Sequence, residues 1–211
     1  MQIVDFDAKE MYLGRIVSLA AYHQSELRHR IAKAWCAFAK FCETLCSRAY
    51  SLEVRVKLFE SVVTPTALYG ASCWTMTQEM VHSLRSTRRR MLRKLFGVRR
   101  KQDEEWHEYV QRATHVVEDH CAQLGYENWE VLQRKRKWKL AGRMAQSADG
   151  RWGFKLLNWK PWFRHLPWRS VGRPCLRWDD DIVHLAGDDW PETAKDAALW
   201  SMLEEGFARA M

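Results

Sequence analysis

Apolar residues recur at three- and four-residue spacing through much of this chain, which is the period of an amphipathic helix. Leu27, Ile31, Trp35, Phe38, Cys42 and Leu45 predict a helix that Ser25 can cap and that runs to about Arg48. Leu52, Val54, Leu58, Phe59, Val62 and Val63 predict a second, capped by Ser51. Pro65 should kink or end it near Val63, because proline lacks the amide donor and disfavours helix at the preceding residue. The stretch from Thr66 to Trp74 is almost wholly apolar and predicts deep burial. Thr77 can cap a third helix with Leu84, Met91, Leu92, Leu95 and Phe96 on one stripe, and Gly97 supplies a left-handed stop. Three helices with short connections predict an antiparallel bundle. Ahead of them, Met11 to Val17 has the pattern of strand, turn and strand, with Gly14 at the turn.

The second half reads differently. Lys101 to Glu105 is a charged connection and the expected domain boundary. A helix is predicted from Glu104 to Leu124, stopped by Gly125, and another from a cap at Asn128. In the latter, Leu132, Leu140 and Met144 give only a narrow apolar edge beside a broad cationic face. Asp149-Gly150 marks a turn, and Gly153, Pro161, Pro167, Gly172 and Pro174 argue for loops or short strands. A helical segment ending near Gly187 and a last helix opening at Trp190-Pro191-Glu192 complete the chain. The expected fold is mainly α. A turn region occupies residues 1–18, an antiparallel helical bundle residues 19–100, and a basic, Trp-rich helical and loop region residues 101–211.

Charge adds a partner to this picture. Lys and Arg outnumber Asp and Glu 34 to 26, a net charge of +8, which favours phosphate-rich ligands without fixing a fold. The excess is concentrated. From Arg85 to Lys101 no acid interrupts Arg85, Arg88, Arg89, Arg90, Arg93, Lys94, Arg99, Arg100 and Lys101. A solvated helix face usually mixes signs, so this run reads as a polyanion-binding face. Arg134, Lys135, Arg136, Lys137 and Lys139 surround Trp138 in a second basic track. Further on, Trp152, Trp159, Trp162 and Trp168 alternate with cations. Such rings suit stacking on unpaired bases, with Trp138, Trp159 and Trp162 as candidates. The alternative reading of these tryptophans is a core for a loop-rich region, covered by Arg and Lys stems.

No independent catalytic chemistry is legible. Asp179, Asp180 and Asp181 are adjacent on an expected helix start and point in three directions, whereas two-metal phosphoryl transfer needs convergent carboxylates. His115, His120 and Cys121 lack a matching second pair for zinc, so no metal or other cofactor is expected. The six cysteines form no CxxC pair and read as small buried thiols of a reducing, intracellular compartment. No apolar run approaches the roughly 20 residues of a membrane span, and the start of the sequence lacks the apolar core of a signal peptide.

Several short motifs, in order, give the chain a family likeness. Leu68-Tyr69-Gly70, Trp74-Thr75 and the helix ending Leu92 to Gly97 resemble the segment that follows the catalytic palm in non-LTR (LINE-type) retrotransposon reverse transcriptases. Upstream, Tyr12-Leu13-Gly14 is similar to the primer-grip turn of that family. Downstream, Arg136-Lys137-Trp138 with Ala141-Gly142-Arg143 resembles its Arg-Arg-Trp…Gly-His element, with Arg143 where histidine is common. Gly172-Arg173-Pro174, Arg177-Trp178 and Asp180-Asp181-Ile182 resemble its Gly-Arg-Pro…Trp-Asp-Asp-Ile signature. Ala194 to Trp200 is similar to its closing pattern, although Ala197 replaces the usual arginine.

The resemblance spans nearly the whole sequence and implies the thumb and post-thumb part of such an enzyme. The Tyr/Phe-Ala-Asp-Asp polymerase motif is not present, so this chain alone is not expected to polymerise DNA. The implied ligand is RNA or an RNA–DNA template-primer duplex, gripped by its backbone through Arg85, Arg88, Arg89, Arg93, Lys94, Arg99 and Arg100. The missing fingers and palm of a reverse transcriptase are an implied protein partner. Nuclear access would serve the family's integration step, but basic runs alone are a poor localisation signal. Two rivals remain open at this level: an inactive, degenerate mobile-element fragment, and a basic module that meets an acidic protein.

Overall fold

The computed structural model describes residues 9–18, 22–147, 152–153, 155 and 176–210. The protein is mainly helical, with one two-stranded antiparallel sheet among the described residues. Its contacts divide it into two compact units. Unit 1 comprises Met1–Gly70 and Met76–Leu132, and unit 2 comprises Ala71–Thr75 and Gln133–Met211. Lys101 to Glu105 lies within unit 1.

Unit 1 begins with a hairpin, β1 (Lys9–Tyr12) and β2 (Arg15–Ser18), in which Met11 opposes Ile16 and Tyr12 opposes Arg15. Four helices follow: α1 (Tyr22–Lys40), α2 (Cys42–Cys46), α3 (Leu52–Ala67) and α4 (Gln78–Phe96). The single helix expected up to Arg48 thus breaks at Phe41, and Ser25 lies buried inside α1 instead of capping it. Ser51 Oγ accepts from the Val54 amide and Thr77 Oγ1 from the Met80 amide, so these two hydroxyls do cap α3 and α4. Pro65 does not end α3. It lies in the last turn, at the cost of the one i→i−4 bond its nitrogen cannot donate, and Thr66 Oγ1 donates to the Val62 carbonyl nearby.

Arg55 reaches the Leu95 carbonyl and Arg88 reaches Glu60, so α3 and α4 run antiparallel. Gln24 meets Glu79 while Trp35 meets Arg90 and Lys94, so α1 runs parallel to α4. This is the up-down-up order of a three-helix bundle. Aromatic rings tie it together: Trp35 to Phe38, Phe38 to Phe59, and Phe59 stacked on Trp129 with an interplanar angle of 2°. Gly97, at φ 69°, closes α4, with the Val98 amide donating to the Arg93 carbonyl. Helix α5 (Trp106–Gln123) ends likewise, with Gly125 at φ 71°.

Helix α6 (Trp129–Gln146) contributes its first turn to unit 1 and the rest to unit 2. In unit 2 a short 3-10 turn (Ala71–Cys73) is joined by α7 (Asp180–Ala186), α8 (Trp190–Thr193) and α9 (Ala197–Arg209). The expected last helix is therefore two, because the Asp196 carboxylate accepts from the Ala198 and Leu199 amides and starts α9 afresh. The core of unit 2 is Trp138, Ala141, Ile182, Trp190, Ala194, Trp200 and Phe207. Trp138 and Trp200 stack at 3.7 Å, and each indole N–H donates to the other residue's carbonyl. A Cβ on Gly142 would lie 2.6 Å from Trp200 Nε1, so only glycine admits this pairing without displacement.

The thiols depart from expectation. Among the described cysteines only Cys121 is buried, and Cys36, Cys46 and Cys73 are exposed. Burial raises the Cys121 pKa. The apolar run to Trp74 also divides: Ala67, Leu68, Ala71 and Trp74 are buried, whereas Tyr69 and Cys73 are exposed. Among the described residues, no helix is long and apolar enough to cross a membrane.

Candidate nucleic-acid interface

Helix α4 carries the main cation run, and its cations have separate fates. Arg88 lies on the same face as Leu84, Met91, Leu92 and Leu95 and is only 2% exposed. Its guanidinium donates to Glu60 Oε1 and Asn128 Oδ1, each at 2.9 Å. Glu60 also accepts from Thr64 Oγ1, which in turn accepts from the Trp129 indole at 2.8 Å. Arg88 is thus the centre of an internal polar chain. It also explains Asn128, whose side-chain oxygen meets Arg88. Arg85 pairs with Glu130 at 2.8 Å, and Arg89 pairs with Glu118.

The other α4 cations point elsewhere. Among the described residues, no carboxylate pairs with Arg90, Arg93 or Lys94. The Arg90 guanidinium and the Lys94 ammonium flank the half-buried Trp35 ring, at 5.7 and 5.2 Å from its centroid. Arg93 lies 6.0 Å from the Tyr109 ring centroid. Contacts of this kind fix a cation against a ring while leaving its N–H donors available. Trp35 had the pattern of core, and Arg90 had no sign setting it apart from its neighbours. The i, i+4 spacing of Arg90 and Lys94 was the only available hint.

The loop after α4 is held firmly. Glu104 takes two bonds from Arg112, at 2.6 and 2.8 Å, and one from the Lys101 amide at 3.0 Å. Hydrogen bonding from Arg112, then from the Lys101 backbone, holds the Glu104 carboxyl down at about 2. Arg99 and Arg100 are exposed there, with Arg100 Nε donating to the Glu104 carbonyl.

The second basic track, on α6, is largely consumed within unit 2. Trp138 is fully buried against Trp200 and does not offer a ring to a base. Lys137 is 1% exposed, bonds Asp181 at 2.7 Å, and sits 5.2 Å from the Trp178 ring centroid. Burial lowers its pKa, against the opposing pull of Asp181. Lys135 pairs with Glu205 and Lys139 with Glu204. Hydrogen bonds from Lys135 and then from Arg209 lower the Glu205 pKa. Arg134 donates to the Phe207 carbonyl and lies 4.4 Å from that ring's centroid. Burial lowers the pKa of Arg134 and of Arg136. The broad cationic face expected on α6 is therefore largely paired, with Lys137 buried and Lys139 exposed. The sequence did not reveal this because the pairing acids lie far along the chain. Trp159 and Trp162 lie outside the described residues, as does Gly172-Arg173-Pro174.

The hairpin turn is a built feature. Leu13 adopts φ 48° and Gly14 φ 75°, and the Leu13 carbonyl accepts from the Tyr69 hydroxyl at 3.2 Å. Arg30 donates to the Gly14 carbonyl and its guanidinium lies 5.0 Å from the Tyr69 ring centroid. Buried Glu26 accepts from Arg30 and from the Ile16 amide. A Cβ on Gly70, at φ 67°, would lie 2.9 Å from Arg15 Nε. The Tyr12-Leu13-Gly14 and Leu68-Tyr69-Gly70 motifs thus meet each other, through Glu26 and Arg30, which no sequence signal singled out. Tyr12 and Leu13 are exposed.

The Trp-Asp-Asp-Ile segment is likewise structural within unit 2. The Trp178 indole donates to the Ser72 carbonyl, Asp180 accepts from the Arg177 amide, Asp181 holds Lys137, and Ile182 is core. Among the described residues, no three His, Cys, Asp or Glu side chains converge as a metal site.

No protein-family model matches the chain. No solved structure matches it significantly. The chain is 32% identical to F52C9.6 of Caenorhabditis elegans, a protein described as transposon-derived, over a span that covers 94% of this chain and 70% of the relative. At that identity and coverage, the chain belongs to a family of transposon-derived proteins.

Proposed function

We propose that this mobile-element protein binds nucleic acid through the basic face of unit 1, as the thumb-like, non-catalytic C-terminal part of a retrotransposon reverse transcriptase. The ligand is an RNA or RNA–DNA template-primer, held by its sugar-phosphate backbone. The observation that carries this reading is the set of Arg90, Arg93 and Lys94, free of carboxylates among the described residues and braced on Trp35 and Tyr109. Such cations position a duplex without reading its sequence. The family resemblance supplies the identity of the ligand.

Fluorescence anisotropy on a labelled RNA–DNA primer-template, across a salt series, tests it. Wild-type affinity should fall steeply with salt, with a log–log slope of about −0.9 per phosphate contacted on a duplex. Replacing Arg90, Arg93 and Lys94 together with Ala should weaken binding at least about tenfold and flatten that slope by about two to three contacts. Replacing Lys135 and Lys139, already paired with Glu205 and Glu204, should leave both nearly unchanged. Absence of binding at low salt by the folded chain would sink the reading and favour an inactive relic of a mobile element.

A further inference from the structure

Among the described residues of unit 1, one tryptophan is largely exposed. Trp106, the first residue of α5, is 64% exposed. Its ring leans on Tyr109, with centroids 5.6 Å apart and a tilt of 48°. Tyr109 is fixed, because its hydroxyl donates to the Val98 carbonyl and the Arg93 and Arg112 guanidiniums lie 6.0 and 5.8 Å from its ring centroid. The loop leading to Trp106 is equally fixed, by the Glu104–Arg112 pair and by the Arg112 bond to the Arg99 carbonyl. An indole held on a rigid base, with most of its surface in water, is pre-organised to stack on a flat ring.

The charges around it narrow the choice. Arg99, Arg100 and Lys101 are exposed on the loop, and Asp103, Glu105 and Glu108 are exposed beside them. This mixture is a poor track for the two phosphate rows of a duplex. One phosphate at Arg99 or Lys101, with its base on Trp106, suits it better, because stacking tolerates nearby acids that repel a continuous backbone.

We propose that Trp106 is a stacking platform for an unpaired nucleotide, so that the ligand of the basic face carries a single-stranded extension beyond its duplex. The inference rests on the basic-face reading above. It assigns to Trp106 the stacking role that buried Trp138 cannot fill.

The test compares a blunt RNA–DNA duplex with the same duplex bearing a six-nucleotide single-stranded overhang, using the full chain and its Trp106→Ala and Trp106→Phe variants. Circular dichroism should show all three equally folded, since the ring is exposed. The overhang should tighten wild-type binding about fivefold to a hundredfold, the range expected for one stacked base. Trp106→Ala should lose that gain, Trp106→Phe should keep most of it, and blunt-duplex affinity should be the same for all. An overhang gain that survives Trp106→Ala, or no gain in the wild type while the blunt duplex still binds, overturns the assignment of Trp106 and leaves the basic face standing. Failure of the wild type to bind either ligand overturns both.

Discussion

Helices α4 and α6 look alike on paper and behave differently in the fold. Each is 18 or 19 residues long, and each carries a dense run of Arg and Lys. On α4, three cations are absorbed by Glu60, Glu118 and Glu130, and three more remain on the surface braced by aromatic rings. On α6, the cations go to Asp181, Glu204, Glu205 and the Phe207 carbonyl. What separates them is the supply of acid. The acid-rich C-terminal segment of unit 2 folds onto its own basic helix and pairs with Lys135, Lys137 and Lys139. Among the described residues, acids of unit 1 pair with Arg85, Arg88 and Arg89 of α4 and with none of Arg90, Arg93 and Lys94. Cation density along a sequence therefore measures how much charge must be placed, and the fold decides whether a carboxylate or a ligand receives it.

The largest expected effect sharpens this contrast at the buried cations. Arg88→Ala leaves Glu60 and Asn128 without their partner inside unit 1, and should destabilise the protein by about 3–5 kcal/mol, the range for breaking a buried ion pair. Lys137→Ala should act more weakly, because Asp181 is one-third exposed and water can take over part of its solvation. Thermal or urea unfolding of both variants checks the order. Equal and small losses would mean that the two helices differ less than their contacts indicate.

A smaller effect tests the packing on which α6 depends. Gly142→Ala places a methyl against Trp200, which is locked to Trp138 by two hydrogen bonds and cannot swing away cheaply. Overpacking of this kind should cost about 1–3 kcal/mol. The helix propensity gained on replacing glycine, about 1 kcal/mol, offsets only part of it. Urea titration would show the net loss, and a stabilised variant would show that the tryptophan pair is looser than its 3.7 Å stacking distance implies.

The smallest effect is local and depends on pH. Glu104 titrates at about 2 in the folded loop against an ordinary 4.5. Its folded value is the lower one, so its contribution is fully present above about pH 4.5 and is lost as the pH falls from there toward 2. Amide protection factors in Lys101 to Glu105, taken against intrinsic exchange at each pH, should fall across that window, and Glu104→Gln should remove that pH dependence. The same acidification should leave the Arg90 and Lys94 contacts with Trp35 intact, since no carboxylate takes part in them.

Much of the site's frame was legible because it follows local rules. The 3.6-residue period located α1, α3, α4 and α5, hydroxyls at Ser51 and Thr77 marked helix starts, and Gly97 and Gly125 marked stops. Each depends on neighbours within about four residues, as capping and helix periodicity do. The site itself was legible only as a run of charge. Which members of the run are structural was hidden, because Arg88 finds Glu60 at a separation of 28 residues and Lys137 finds Asp181 at 44.

The sequence by itself determined a mainly helical protein of transposon-type pattern with two basic helices. Only the tertiary structure decided that α6 spends its charge inside unit 2, that Trp138 is core, and that Trp35, Arg90, Lys94 and Trp106 lie on the accessible side. The physical reason is that helix formation is governed by local geometry, whereas the fate of a charge is governed by which opposite charge reaches it and how much water is excluded when it does.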